Sequence, residues 1–296
     1  STINRIKMSP NGTLTYDSKT SDFTLTAVVT GGTSGATGTI TDIDTGAGTL
    51  ELESISGTFQ DNESLTGSGG GAALVNGTLV GTHLNDALAS PLVCDLDDDY
   101  INETIYVGNL YGIMYRVSSI GKGQTPSISK LFDFNPTNTS VDTNPIRAKA
   151  TYAYTETSGD IWVYYGTGRY ESQTDKTNLN QQYFFGIQDS LGSTTTYNLS
   201  DLVGLDSASV TDVNTGKDIR YISGSNSSAD SWYIALDNTT SGFLGSERVI
   251  EKPFVIGGVV FFVTFIPDQD ICAGNGDTWV YAVNYNTGTA PTTPGF

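Results

Sequence analysis

The chain is 296 residues long and carries 14 Lys plus Arg against 32 Asp plus Glu, a formal net charge of −18. So acidic a surface repels nucleic acid and anionic membranes and attracts cations. A hydrophobic content of 37%, with 16 Tyr and 12 Phe, supplies a core and excludes global disorder, and the longest apolar run, residues 255–266, is too short to cross a bilayer as a helix.

Gly, Ser and Thr are abundant and helix-favouring runs are scarce, which predicts an all-β chain of short strands joined by turns. No signal peptide opens it, which reads as a mature chain or a piece of a longer one. Residues 1–21 read as an extended lead-in. Residues 22–80 read as a small Gly-rich β module. Within it VVTGGTSGATGTI and SLTGSGGGAALVNGTL resemble each other: an apolar strand, Thr-Gly, a glycine turn and a return strand. This predicts an internal two-fold repeat of hairpins in a small barrel or sandwich. The turns are not phosphate loops, because no Gly-Lys-Ser/Thr follows and the surroundings are acidic.

From residue 81 to 290 aromatic residues become frequent and strands recur in groups. The first group is residues 91–94, 104–107, 112–117 and 129–134. The second is 148–155, 161–166, 182–189 and 195–199. The third is 248–256, 259–266 and 278–285, with 232–236 as a candidate fourth strand. Recurring four-stranded groups predict blades of a β-propeller, here about three of them, with further blades supplied from outside this sequence. Residues 291–296 read as a tail.

The densest chemistry lies at the head of the first group, CDLDDDYINETIYVGNLYGIMYRV. Carboxylates at alternate positions repel one another unless a cation sits among them, and all-oxygen ligands in a flexible loop suit calcium. Counting from Asp95, side-chain oxygens fall at positions 1, 3, 5 and 9, which makes Asp95, Asp97, Asp99 and Glu103 the candidate ligands, with the carbonyl of Ile101 at position 7. The loop starts like an EF-hand but has Tyr100 where glycine is expected, and Tyr106 at the twelfth position. The alternative is a solvated acidic turn. A second acidic loop, with Asp268, Asp270 and Asp277, is sparser and reads as solvated.

Cys94 and Cys272 form a disulfide or remain two buried thiols; the sequence leaves both open. His83 has no evident Ser or Asp partner, and the chain has no nucleophile elbow, zinc motif or CxxC, so no catalytic residue is assigned and no organic cofactor is expected. Asn102 and Asn226 open Asn-x-Ser/Thr triplets, the acceptor pattern for glycosylation.

Three segments together resemble the C-terminal domain of the PilC/PilY family of type IV pilus tip-associated adhesins and biogenesis factors. They are ASPLVCDLDDDYINETIYVGNLYGIMYRV, IWVYYGTGRYESQTD with NQQYFFGIQD, and SERVIEKPFVIGGVVFFVTFIPDQDICAGNGDTWVYAVNYNTG. The resemblance implies a modified β-propeller outside a bacterial cell, with calcium held by Asp95, Asp97, Asp99, the Ile101 carbonyl and Glu103. It also implies partnership with pilin or minor pilins and attachment to a host or abiotic surface; the lack of catalytic motifs in the residues themselves leads to the expectation of no enzymatic activity. The chain departs from the family pattern at Asp98, Tyr100 and Glu103, and the Gly-rich module stands where the family has earlier blades. Two other classes of function are weighed against this one. A repeating structural or decorating subunit of an extracellular filament would show helical assembly by electron microscopy. A secreted carbohydrate-binding or carbohydrate-active propeller would need two suitably spaced carboxylates in a cleft.

Overall fold

The computed structural model describes residues 12–77, 79, 88–96, 100, 102–120, 126–134, 143–155, 160–190, 192–211, 218–227, 230–238, 245–268 and 276–291. The fold is all-β, with one short α-helix and one 3-10 turn among the described residues. It divides into two compact units, the second starting at Ala87.

The first unit is a closed barrel of β1 (Gly12–Ser21), β2 (Val28–Gly31), β3 (Thr37–Asp44), β4 (Thr49–Ser56), β5 (Ser64–Gly67) and β6 (Ala72–Val75), in the order β1-β4-β3-β2-β5-β6. Alternation places Leu14, Tyr16, Val29, Ile40, Leu50, Leu52, Leu65 and Val75 inside it. The repeat seen in the sequence is a pseudo-two-fold in the barrel. Thr30 lies opposite Thr66 where β2 and β5 pair. On either side of that pair the Gly32 amide donates to the Ser64 carbonyl and the Ser68 amide to the Val28 carbonyl, both at 2.8 Å. The barrel starts earlier than the expected boundary at residue 22. Gly12–Ser21, read as a lead-in, is the strand that closes the barrel, pairing with β4 through Gly12–Thr15 and with β6 from Tyr16 to Ser21. Only Leu14 and Tyr16 mark its inner face, and its polar second half disguises it as a loop.

Glu63 ties the barrel loops together. Its buried carboxylate accepts the amides of Thr33 (2.9 Å), Ser34 (2.8 Å) and Gln60 (2.6 Å) and the Ser34 hydroxyl (2.8 Å). Burial opposes ionisation, but these donors outweigh it and hold the carboxyl below its ordinary pKa. A lowered carboxylate pKa contributes stability above the unfolded value, about 4.3, which is lost as pH falls through the folded one. We therefore expect the barrel transition, followed by calorimetry of the whole chain, to lose stability as pH falls below about 4.3. Glu63→Gln should lower that transition at pH 7 by about 1–3 kcal/mol and flatten its acid limb.

The second unit holds three sheets. The first is β7 (Leu92–Cys94), β8 (Thr104–Gly108), β9 (Ile113–Ser118) and β10 (Ser127–Asp133), four strands in sequential antiparallel order as the first group predicts. The second has six strands: β11 (Thr151–Thr155), β12 (Asp160–Gly166), β13 (Tyr183–Ser190), β14 (Val203–Thr211), β15 (Asp218–Ser223) and β16 (Trp232–Ala235), ordered β11-β12-β13-β16-β14-β15. Helix α1 (Gln173–Lys176) precedes β13. The third has three strands, β17 (Phe254–Ile256), β18 (Val259–Pro267) and β19 (Gly276–Asn284).

Two strand assignments are corrected. Residues 195–199 do not join the second sheet; only Tyr197 bridges, to Phe132 of the first sheet, exchanging hydrogen bonds with Leu131 and Asp133. Residues 232–235 take the vacant place beside β13, with Trp232 opposite Gly186, rather than joining the third sheet. Tyr197 packs against the core on the first-sheet side and Trp232 enters the other core cluster, so burial decides both placements.

Strands β12 and β13 at the centre of the second sheet are buried on both faces, which explains why they read as unbroken apolar runs. Ile161, Val163, Tyr165, Phe185 and Ile187 meet Tyr106, Leu131 and Phe132 of the first sheet. Trp162, Tyr164, Phe184 and Trp232 meet Phe262 and Tyr281 of the third. Phe184, Phe262 and Tyr281 form a continuous stack, with centroids 3.7 and 4.5 Å apart. Adjacent sheets are also joined by a repeated device. Ile146 covers strand glycine Gly108 and donates its amide to the Asn109 carbonyl; Val249 covers Gly166 and donates to the Thr167 carbonyl.

Candidate cation site

The acidic loop joins β7 to β8. Leu92 and Cys94 face the core, and pairing of Cys94 with Thr104 sets the loop's base, closed by the Glu103 amide on the Cys94 carbonyl at 3.0 Å. From there the described carboxylates organise the loop. Glu103 Oε2 accepts the Leu96 amide at 2.7 Å, and Asp95 Oδ2 accepts the Tyr100 amide at 3.0 Å. The Tyr152 hydroxyl donates to the Asp95 carbonyl at 3.3 Å, anchoring the loop to the second sheet. Asp95 Oδ1 is buried and has no hydrogen-bond partner. A carboxylate oxygen withdrawn from water without a donor is costly, and a hard cation is the chemistry that satisfies it.

Tyr100 has φ +66° and its side chain is 94% exposed. The loop thus makes the left-handed turn that glycine usually supplies at the sixth position, with a residue that gains no packing in return. Asp97, Asp99 and Ile101 lie outside the described residues, as do Asp98, Cys272, His83 and Asp270. The structure therefore places Asp95 and Glu103 at the two ends of one loop. Among the described residues no group of three or more metal-ligating side chains occurs.

Cys94 is a buried free thiol. Burial, with Glu103 and Asp189 adding to it, pushes its pKa up to about 12, so it is an unreactive thiol at neutral pH. Asn226 is buried, its side-chain amide donating to the Asp230 carbonyl at 2.7 Å, which removes it as a glycan acceptor in the folded chain.

Two clusters of buried charged residues in the second unit were not singled out in the sequence reading. Asp189 on β13 is ion-paired to Arg116 Nη1 on β9 and accepts the Tyr106 hydroxyl of β8 at 2.6 Å, so one carboxylate pins the β8–β9 hairpin to the second sheet. Arg248 inserts among main-chain carbonyls, donating to Arg169 (3.1 Å), Asp175 (2.5 Å), Asn178 (3.1 Å) and Ser246 (3.0 Å). It thereby fixes the Arg169–Asn178 loop in which Asp175 is itself held. Burial opposes ionisation of Asp175, but Arg169 and the amides of Glu171 and Ser172 lower its pKa to about 2. The sequence signal for the first cluster is a charged residue inside an apolar strand, Arg116 in β9 and Asp189 in β13; Arg248 and Asp175 lie outside the strands and carry no such signal.

No family model matches this chain. Among curated proteins it is similar to a type IV pilus biogenesis factor PilY1 homolog of Xylella fastidiosa, 28% identical over 208 residues, covering 69% of this chain and 16% of that protein. It is also similar to the type IV pilus biogenesis factor PilY1 of Pseudomonas aeruginosa, 28% identical over 246 residues, covering 70% of this chain and 21% of that protein. The chain thus spans about a fifth or less of the length of these relatives. Among solved structures its fold is similar to the Pseudomonas aeruginosa PilY1 C-terminal domain, with a TM-score of 0.54 at 18% identity, covering 89% of this chain and 68% of that one. The resemblance carried by the three motifs is thus found again over whole segments of the chain and in its all-β fold.

Proposed function

We propose that the chain is the calcium-binding, propeller-like part of a type IV pilus biogenesis factor, working at the bacterial surface with pilin or minor pilins in pilus assembly and attachment. The similarity to PilY1 proteins supports the pilus role. The orphaned Asp95 oxygen at the head of the Asp95–Glu103 loop carries the calcium reading. The ligands are Asp95, Asp97, Asp99, the Ile101 carbonyl and Glu103. The cation neutralises carboxylates that otherwise repel and fixes the angle at which β7 leads into β8. Its first effect is thus structural, transmitted through Tyr152 and the Glu103–Leu96 contact to the neighbouring sheet. The repeated glycine-and-cover device between adjacent sheets supports a blade-like repeat. The chain has no catalytic role in this reading.

Calcium should raise the unfolding temperature of the second unit, by about 2.7 kcal/mol of stability at a hundredfold excess over Kd. Calorimetric titration should give one site in the parent and none in Asp97→Ala, with folding intact. Asp95→Asn, which keeps an acceptor for the Tyr100 amide, should weaken binding without unfolding the loop. Equal calcium binding by parent and Asp97→Ala would remove the site assignment while leaving the pilus reading to be tested by deletion of the gene and a count of surface pili.

A further inference from the structure

The barrel of the first unit carries a cleft between the β1–β2 connection and the β3–β4 turn, about 380 Å³ in volume. Small-ligand sites occur in such barrel mouths, with apolar walls and a few convergent polar groups. Here Phe23, Leu25 and Ile43 supply the wall, and Tyr16, Lys19 and Asp22 the polar groups. Tyr16 is 6% exposed, with its ring edge-on to Phe23 and the centroids 5.3 Å apart. Its hydroxyl is buried without a hydrogen-bond partner among the described residues. A hydroxyl withdrawn from water in this way costs stability, and a ligand's polar group is the chemistry that satisfies it. Beside it β1 slips its register with β6 between Asp17 and Ser21, and Ser18 takes φ +47°. A bulge re-aims the side chains of its strand. The next residue, Lys19, meets Asp22 Oδ1 at 2.6 Å. The Lys19 pKa is raised first by that hydrogen bond and last by the Tyr16 phenol, so ammonium and phenol lie within electrostatic reach of each other.

We infer that this cleft binds a neutral sugar residue. A pyranose presents an apolar C–H face and a rim of hydroxyls that both donate and accept. The wall of Phe23, Leu25 and Ile43 suits the face; Lys19 donates to the rim, Asp22 accepts from it, and the Tyr16 hydroxyl does either. Other ligand classes fit less well. A wholly apolar ligand leaves the Tyr16 hydroxyl unpartnered and strips water from the Lys19–Asp22 pair. An anion meets Asp22 and Asp42 in the cleft, on a chain of net charge −18. A cation meets the Lys19 ammonium. The ion pair is a weak barrier to entry. Its side chains are 32% and 86% exposed, and an exposed pair of this kind contributes little to stability. A vicinal diol parts it by taking the donor with one hydroxyl and the acceptor with the other, and the rim then moves enough to admit a partner to Tyr16. The inference rests on the barrel alone and stands whether or not the acidic loop binds calcium or the chain serves a pilus.

The test is saturation-transfer NMR on the whole chain with glucose, galactose, mannose and N-acetylglucosamine, each at about 10 mM, enough to populate a site of millimolar Kd. At least one sugar should show transfer, and its titration should give a Kd that Tyr16→Phe raises about tenfold, the loss of one hydrogen bond. Lys19→Met should raise it by a similar factor. Tyr16→Phe keeps the ring and removes only the unpartnered hydroxyl, so the barrel should unfold at the parent's temperature or above it. Lost binding in that variant is then not lost folding. No transfer from any of the four sugars would overturn the proposal. So would sugar binding that neither Tyr16→Phe nor Lys19→Met weakens, since the sugar would then sit elsewhere. Stronger transfer from methylammonium or acetate at the same concentration, lost in Tyr16→Phe, would overturn the sugar assignment and give the cleft to a charged ligand.

Discussion

Replacing Asp189 with alanine should destabilise the second unit by about 3–5 kcal/mol, among the largest effects of any single substitution in the chain. The reason is what remains. Arg116 is 2% exposed on β9 and its Nη1 loses its carboxylate, while its Nη2 already lacks a hydrogen-bond partner. The Tyr106 hydroxyl loses its acceptor at the same time. A buried guanidinium without a counter-charge is far more costly than the pair was favourable. Burial is the largest influence on Asp189 itself and raises its pKa, against the opposing effects of Tyr106 and Arg116. The folded carboxyl thus holds its proton to higher pH than the unfolded one. Burial therefore favours the protonated carboxyl, and this contribution to stability is full below the unfolded pKa, about 3.9, and declines as pH rises from there through the folded value. Removing both charges should therefore be mild: Arg116→Met with Asp189→Leu is expected within about 1–2 kcal/mol of the parent. All three tryptophans, Trp162, Trp232 and Trp279, lie in the second unit, so intrinsic fluorescence in a urea titration reads this transition without interference from the barrel. A single mutant as stable as the parent would show that water reaches Arg116 and that the pin between sheets is not one.

Such effects mark the limit of what the sequence discloses. Hairpin β8–β9 and the whole first sheet were legible, because each strand is adjacent in sequence to its partner and alternates or is wholly apolar. The β2–β3 and β5–β6 repeat was legible for the same reason, glycine turns between similar runs. The second sheet was legible only in part. Its β16 pairs antiparallel with β13 but parallel with β14, and nothing local in Trp232–Ala235 distinguishes that position from a place in the third sheet. β1 was read as a lead-in because its inner face holds only Leu14 and Tyr16. At the candidate site, the alternation of carboxylates pointed to the loop. It did not disclose that Glu103 and Asp95 each spend one oxygen on a loop amide, nor that Asp95 keeps the other buried and unpartnered. Spacing reports which oxygens a cation could reach, and hydrogen bonding across the loop is a property of the fold.

The aromatic-glycine motifs are where sequence and packing meet, and they make the second strong prediction. Gly166 ends β12 in the YYGTGRY segment, and a Cβ placed there would lie 2.4 Å from both Cβ and Cγ2 of Val249. The neighbour cannot yield easily. Val249 is fully buried, β-branched, and fixed by its amide on the Thr167 carbonyl at 3.0 Å. Gly166→Ala is therefore expected to cost about 1–3 kcal/mol through overpacking, and Gly166→Val more. The constraint here is space and not backbone conformation, so it has a remedy. Val249→Ala alone should cost about 1–3 kcal/mol for the cavity it leaves. Combined with Gly166→Ala, it should give back most of the first loss, a coupling of about 1 kcal/mol or more in a double-mutant cycle. Gly108 with Ile146, whose nearest atom is 2.2 Å from the same construction, should behave alike. Losses that simply add at both positions would mean that the glycines serve the strand and not the seam. Coupling at both would establish that each sheet of the second unit is locked to the next by one residue seated over one glycine, which is why the motif repeats along the chain.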